Sequence, residues 1–150
     1  MQKTKFKCED LTEMLSENSL VIFLFHGVIN KQKDLVRNYT NKHLEKDFFA
    51  DVIKSLSTKG TSLSMDNILY HLKNNLPFPK FSYSITFDDG FENNLSIAAP
   101  ILDNYKTHAI IYITTNFIDK NIMSWIDRIE SAIQNFKLKK LYWSGINYSL

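Results

Sequence analysis

Three short runs of strand-forming residues, separated by amphipathic stretches, organise the hydrophobic pattern of the chain. Residues 20–25 and 108–113 are almost continuously apolar, whereas residues 82–87 alternate between polar and apolar side chains. Apolar runs of this length are typical of strands covered on both faces. Because helical patterns lie between the runs, the three strands are expected to be parallel neighbours in one sheet.

Two helices are predicted between the first two runs. Apolar residues recur every four positions through the first, expected over about 42–58, with Asn41 as N-cap and Gly60 just beyond its end. Ser64 is expected to cap the second. The apolar side chains of this second helix are predicted to face inward: Ile68, Leu69 and Leu72.

Two further helices are predicted in the second half of the chain. Residues 95–105 have a helical pattern, in which Pro100 either starts the regular part or kinks it. Ser124 is expected to cap the last helix. The apolar residues of that helix fall on one stripe: Trp125, Ile129, Ile133 and Phe136.

Strands that alternate with helices predict an α/β fold, either a doubly wound sheet or part of a barrel. In both architectures the C-terminal ends of the strands meet at one rim, where functional sites are placed. His26, Asp88 and Asp89 all fall at such ends. This coincidence favours a functional interpretation of the polar residues.

Composition narrows the class of protein. With 150 residues, 44% hydrophobic and 23% charged, the chain is expected to form one globular domain. A net charge of +2 does not indicate nucleic-acid binding, and a single cysteine, Cys8, excludes an internal disulfide. The longest apolar run is too short to span a membrane, and the polar N-terminus lacks a signal-peptide core. A cytoplasmic location is therefore expected.

The acidic pair Asp88–Asp89, followed by Gly90, is the most informative short motif. Within a strand the two side chains would point to opposite faces, so both line one site only if the chain turns there, as Gly90 permits. Adjacent carboxylates repel each other and are costly to bury, which suggests a cation or a transferred proton. The alternative is a solvated acidic turn, and the pattern alone favours neither.

The segment Ile85-Thr-Phe-Asp-Asp-Gly-Phe91 resembles the first motif of the polysaccharide deacetylases, the NodB-like carbohydrate esterase family 4. Its context is similar too, over residues 20–130. The segments that carry the similarity are Phe25-His26-Gly27-Val28, residues 48–72, Ala99-Pro-Ile-Leu102, Ala109-Ile-Ile-Tyr-Ile113 and Trp125-Ile-Asp-Arg128.

The resemblance implies a metal-dependent hydrolase that removes N- or O-acetyl groups from a polysaccharide or its precursor. Asp88 would be the general base and Asp89 a ligand of a divalent metal of the zinc, cobalt or nickel type. Such a metal lowers the pKa of water and polarises the carbonyl, while a nearby carboxylate accepts the proton. Further pocket-lining residues would be His26, Thr86, Gly90 and Phe91. The resemblance implies a bacterial surface polysaccharide or its lipid-linked precursor as the substrate, with chitin-like glycans and peptidoglycan as alternatives.

The chain also departs from the family. The His-Ser/Thr-x-x-His motif that completes the metal site is absent, because no two of the four histidines have that spacing: His26, His43, His71 and His108. His43 and His71 are predicted on helices. We therefore expect the N-terminal portion of a deacetylase, a partial barrel truncated at its C-terminus. It would have an incomplete metal site and an open sheet edge that favours self-association.

Two alternatives remain at this point. The acidic pair could serve a different metal hydrolase, such as a phosphoesterase, because acidic strand ends are common in α/β folds. The chain could also be a non-catalytic carbohydrate-binding or interaction module on the same scaffold.

Overall fold

A computed structural model describes residues 8–31, 38–137 and 140–149. The helices are α1 (Cys8–Glu13), α2 (Lys46–Lys59), α3 (Met65–Lys73), a π-helix (Asn94–Ala98), α4 (Ala99–Asn104), α5 (Thr115–Lys120) and α6 (Trp125–Gln134). The strands are β1 (Leu20–Phe25), β2 (Gly27–Ile29), β3 (His43–Glu45), β4 (Thr61–Ser62), β5 (Ser82–Phe87), β6 (Ala109–Ile111), β7 (Lys140–Trp143) and β8 (Ile146–Ser149). None of these helices is both long and apolar enough to cross a bilayer.

The chain forms two compact units. The described parts of the first are residues 8–31 and 42–114, and those of the second are 38–41, 115–137 and 140–149. The first unit contains the parallel sheet and most of the buried apolar side chains. The second contains α5, α6 and the hairpin of β7 and β8.

The main sheet of the first unit has β5 at its centre. β1 pairs with β5 in parallel on one side, while β4 and β6 pair with it in parallel on the other. This confirms the α/β class and the predicted parallel neighbours. The third strand is shorter than predicted, since its pairing covers Ala109–Ile111 of the expected 108–113.

Alternation along β5 decides which face of the sheet carries the core. Tyr83, Ile85 and Phe87 are buried in the hydrophobic core. The rings of Phe87 and Phe49 of α2 lie 5.9 Å apart between their centroids, with an edge-to-face tilt. Such aromatic contacts contribute roughly 0.5–1.5 kcal/mol beyond the burial of their area, so α2 is firmly attached to this face.

Helix α2 begins four residues later than predicted because its expected first turn is a strand. Residues His43–Glu45 pair in parallel with Gly27–Ile29, and Glu45 takes the N-cap position. The prediction that His43 lies on a helix is therefore wrong, and so is the prediction that Asn41 caps α2. The helical periodicity of apolar residues extends to Leu44, but the backbone of residues 43–45 pairs with β2 instead of forming a helical turn.

Helix α3 confirms its predicted cap but not its predicted burial. The backbone N–H of Asn67 donates to the Ser64 hydroxyl at 3.2 Å, and Ile68 is buried. Leu69 and Leu72, however, are exposed. His71 does lie on this helix, with its Nδ1 2.8 Å from the carbonyl oxygen of Pro77.

The predicted helix over 95–105 begins as a π-helix and becomes regular at Ala99. Pro100 lies in the first turn of α4, so of the two predicted roles it takes the first and starts the regular part. The N–H of Ala99 donates to the carbonyl oxygen of Asn94, so Pro100, which has no N–H, lies where the hydrogen-bond pattern changes from π to α.

Candidate functional site

The rim of the sheet brings His26 and Asp88 to the same level. Phe25 and Phe87 are paired across β1 and β5, so each is followed by one of these residues. The backbone N–H of Asp88 donates to the carbonyl oxygen of Phe25 at 3.0 Å, which extends the ladder by one step. The predicted placement of both residues at one rim is confirmed for the backbone.

The chain turns immediately after Asp88. Asp89 has a φ of 74° and Gly90 a φ of 70°, both in the left-handed region. The turn thus begins at Asp89 itself, one residue before the glycine that suggested it. A left-handed aspartate is uncommon and costs about 1–3 kcal/mol, so the surrounding packing holds it in place.

A side chain at position 90 would also be crowded. A Cβ atom added to Gly90 would lie 3.2 Å from Cγ1 and 3.3 Å from Cα of Ile113, in addition to the backbone strain. Contact with the chain beyond β6 therefore holds the turn in place.

Phe91 is packed by two residues that sequence reasoning did not assign to the site. The His43 ring meets the Phe91 ring edge-on with centroids 4.7 Å apart, and Lys42 Nζ lies 4.9 Å from the Phe91 centroid. A cation over an aromatic face is attracted by its quadrupole. Both neighbours depend on β3, whose formation the helical periodicity concealed.

Asn93 ties the end of the turn to β2. Its Oδ1 accepts a hydrogen bond from the backbone N–H of Val28 at 3.4 Å. A Cβ atom on Gly27 would overlap His43 Nδ1 and would lie 2.6 Å from Asn93 Oδ1. Because Gly27 has no side chain, β3 and the acidic turn (Asp88–Gly90) can lie close to β2. The position of Gly27 after His26 in the sequence does not indicate this role.

Asn94 is the next residue and opens the π-helix. It is buried, and neither polar atom of its amide has a hydrogen-bond partner among the described residues. Buried amides without partners are rare, and π-helical turns are frequent near functional sites. In the sequence, Asn94 is distinguished only as the second of two consecutive asparagines.

The other residues predicted to line the pocket lie on β5 and in the turns that follow β1 and β5. Thr86 is buried on the face of β5 opposite the core, paired with the exposed Leu24 of β1. His26, Asp88, Asp89, Gly90 and Phe91 are all half-buried in the adjoining turns. Their catalytic, ligating and lining roles stay predictions.

A divalent metal does not fit the donor set of the described residues. Within residues 8–31, 38–137 and 140–149, no three histidine, cysteine, aspartate or glutamate side chains cluster as a metal site requires. A catalytic zinc-type site normally has about three protein ligands and an open position. The acidic turn therefore supplies at most part of a ligand set.

Neither known protein-family patterns nor curated protein sequences match the chain. Solved structures do. The Streptococcus pyogenes deacetylase PplD, determined in complex with acetate, is 23% identical, with a TM-score of 0.57 over 70% of this chain and 46% of that one. The chain has the fold of the polysaccharide deacetylases. IcaB from Ammonifex degensii is 19% identical, with a TM-score of 0.52 over 66% of this chain and 40% of its own.

A third deacetylase-fold structure covers more of the chain. The de-N-acetylase from Aggregatibacter actinomycetemcomitans is 14% identical, with a TM-score of 0.59 over 87% of this chain and 45% of that one. The chain thus spans less than half the length of the three solved structures. At these identities the likeness concerns the deacetylase fold, and the activity is a separate question.

Proposed function

We propose that this chain contributes the acidic turn of a metal-dependent polysaccharide deacetylase. The observation that carries the proposal is the placement of Asp88 and Asp89 at the C-terminal end of the central strand, in a deacetylase fold. This is the rim where α/β folds place catalytic groups.

In this proposal Asp88 is the general base. A carboxylate at the end of β5 takes a proton from the water that attacks the acetyl carbonyl, and the bond between that carbonyl and nitrogen or oxygen then breaks. Asp89 contributes one ligand to the divalent metal expected of this family, and the described residues do not complete the set. The whole enzyme would need further ligands and a group that protonates the departing amine.

The polysaccharide substrate is proposed on the same basis. The three similar structures are named as deacetylases or as IcaB, and the motif around Asp88 resembles that of enzymes acting on glycans. N-acetylated sugars are the first substrates to test.

The roles of the two aspartates are separable in a polypeptide that carries the complete ligand set. Asp88→Asn should retain metal and lose acetate release by a factor of about 10²–10⁴, the usual contribution of a general base. Asp89→Asn should weaken metal binding. Both substitutions keep the side-chain volume and remove the charge, so each serves as the control for the other. If Asp88→Asn abolished metal binding while Asp89→Asn left it intact, the assignment would be reversed.

The alternatives give different results in the same assay. Release of phosphate from an aryl phosphate, with no acetate from N-acetylglucosamine oligomers, would favour a phosphoesterase. Glycan binding without any hydrolysis by the whole protein would favour a non-catalytic module.

A further inference from the structure

Strands β7 and β8 of the second unit form an antiparallel, two-stranded sheet. Ser144 and Gly145 join the strands, with φ values of 49° and 82°. Two successive residues in the left-handed region are the signature of a type I′ turn, whose twist matches that of the strands and fixes the register of a hairpin. The pairing of the hairpin therefore determines which side chains share a face.

One face of the hairpin is aromatic and apolar. Trp143 is paired with Ile146, and Tyr148 lies two residues further along β8, so the three side chains lie on the same face. They are 69%, 54% and 44% exposed, in that order. The residues of the opposite face are exposed as well: Lys140, Tyr142, Asn147 and Ser149.

The tip of the hairpin lies in open space. A Cβ atom added to Gly145 would have no other atom of the described residues within 4 Å. A strand with an apolar face ordinarily packs that face against a second layer, and a lone two-stranded hairpin is marginally stable in water. Exposure of both faces shows that this hairpin is displayed at the surface of its unit.

The polarity of the hairpin changes from its tip to its base. Trp143 and Ile146 flank the turn at the tip, and Lys140 opens β7 at the base. Lys140 is three residues from Trp143, which is about 10 Å along an extended strand. Lys137, which precedes β7, is exposed too. The hairpin thus combines an apolar tip with a cationic base.

The positive charge of the chain is concentrated in this region. Residues 131–150 include Lys137, Lys139 and Lys140, the basic run, and contain no aspartate or glutamate. The other 130 residues contain 15 basic and 16 acidic side chains. Attraction to the carboxyl end of α6 does not account for the run, because that effect is confined to the last helical turn and α6 ends at Gln134.

A bilayer surface that contains anionic lipids matches both ends of the hairpin. Tryptophan and tyrosine are enriched at membrane–water interfaces, where apolar side chains enter about 5–10 Å into the boundary between headgroups and acyl chains. The spacing of about 10 Å between Trp143 and Lys140 then places the lysine at the level of the lipid phosphates. A purely apolar protein partner would cover the tip and leave the charge of the base unmatched.

We propose that the hairpin of β7 and β8, together with the basic run, is a docking surface for an anionic lipid bilayer. Trp143 and Ile146 enter the interface, and the lysines supply attraction to the phosphates. The proposal goes beyond the proposed function, because it uses no residue of the acidic turn and derives the partner from the charge and the aromatic face of the hairpin alone.

Sedimentation of the chain with lipid vesicles tests the electrostatic part. The wild type should bind vesicles of phosphatidylcholine and phosphatidylglycerol in equal parts, bind pure phosphatidylcholine far less, and be released at an ionic strength of about 1 M. Replacing the three lysines of the basic run by glutamine should weaken binding roughly a hundredfold, about fivefold for each charge. The control replaces three exposed lysines of α2 and α3 by glutamine and so removes the same charge: Lys54, Lys59 and Lys73.

Substitutions at the tip test the apolar part. Trp143→Ala combined with Ile146→Ala should weaken binding at least about tenfold. Trp125→Ala is the matched control, because Trp125 is 70% exposed but lies on α6. The chain has two tryptophans, so in Trp125→Phe the emission comes from Trp143 alone. That emission should shift to shorter wavelength on binding and be quenched by brominated lipid.

The proposal is supported if both sets of hairpin substitutions weaken binding while both controls bind as the wild type does. The lysine variant leaves the apolar tip intact, so its loss of binding is not explained by an unfolded hairpin. The proposal is overturned if the wild type does not bind the mixed vesicles, binds pure phosphatidylcholine equally well, or is weakened equally by the controls.

A second copy of the chain is the competing occupant. A dimer in analytical ultracentrifugation that is lost in the tip variant, without vesicle binding by the wild type, would overturn the proposal in its favour. Asp88→Asn should bind vesicles as the wild type does, so failure of the proposed catalysis and failure of lipid docking are distinguishable.

Discussion

Replacement of Gly27 by alanine tests how the acidic turn is held against the sheet. The added methyl group would overlap the His43 ring and approach Asn93 Oδ1 to 2.6 Å. The φ of Gly27 is not in the left-handed region, so alanine meets no backbone strain there and the whole effect comes from packing. Overpacking of a close contact costs about 1–3 kcal/mol. Loss of the Asn93 hydrogen bond to Val28 would add about 1 kcal/mol.

Gly27→Ala should therefore lower the free energy of unfolding by about 2–4 kcal/mol. Urea denaturation followed by far-UV circular dichroism measures this, since both tryptophans lie in the second unit. Gly145→Ala is the control, because Gly145 has a φ of 82° and nothing within 4 Å of the added Cβ. That variant should lose only the backbone contribution, about 1 kcal/mol.

A double substitution identifies the contact that is responsible. Adding His43→Ala removes the ring that the new methyl group meets, so the two changes together should cost less than their sum by about 0.5–3 kcal/mol. If Gly27→Ala is no more harmful than Gly145→Ala, or if the two changes are additive, the close approach of β2, β3 and the turn is wrong.

Two further predictions concern the stability of the first unit. Burial raises the pKa of Tyr83 above its ordinary value of 10.0. The folded state therefore holds the phenolic proton more tightly, so this stabilisation is complete below pH 10 and is lost as the pH rises through the folded pKa. In urea denaturation at pH 9–11, Tyr83→Phe should reduce the dependence of the unfolding free energy on pH. An unchanged pH dependence would contradict the burial of the hydroxyl. Ser64→Ala should lower the stability by about 1 kcal/mol through loss of the cap on α3, whereas Ser57→Ala, within α2, should change it far less.

The sequence predicts best where one physical effect dominates. The apolar run of β1 and the alternation of β5 predicted the positions of both strands. The expectation that β1 is covered on both faces is wrong for the part of the chain that the structure describes, since Ile22 and Leu24 are exposed. The caps at Ser64 and Ser124 were predictable as well, since a hydroxyl that accepts from the first helical turn is a local interaction.

The sequence predicts less well where distant segments meet. His43 follows the helical period of α2 but pairs with Gly27, which lies sixteen positions earlier in the chain. Likewise, the stripe of α6 was recognised, but the burial of the opposite side involves a distant contact, in which the backbone N–H of Asn38 donates to Glu130. Periodicity identifies the faces of a helix and does not tell which one is buried.

The features of the candidate site also divide into local ones, which the sequence predicts, and contacts between distant segments, which it does not. The aspartates, the glycine and the position of His26 follow from the ends of strands, which are local features. The packing of Phe91 by His43 and Lys42 and the link from Asn93 to Val28 are contacts between segments, and no local pattern encodes them.

Titration of the purified chain with zinc, cobalt and nickel, with acetate release from N-acetylglucosamine oligomers measured in parallel, tests the central claim most directly. The claim is that the turn at Asp88 and Asp89 is the acidic part of a deacetylase site whose ligand set the described residues do not complete. We expect binding weaker than micromolar, weakened further by Asp89→Asn but not by Asp88→Asn, and little or no acetate release. Stoichiometric binding at micromolar concentration or tighter, together with turnover, would contradict the account.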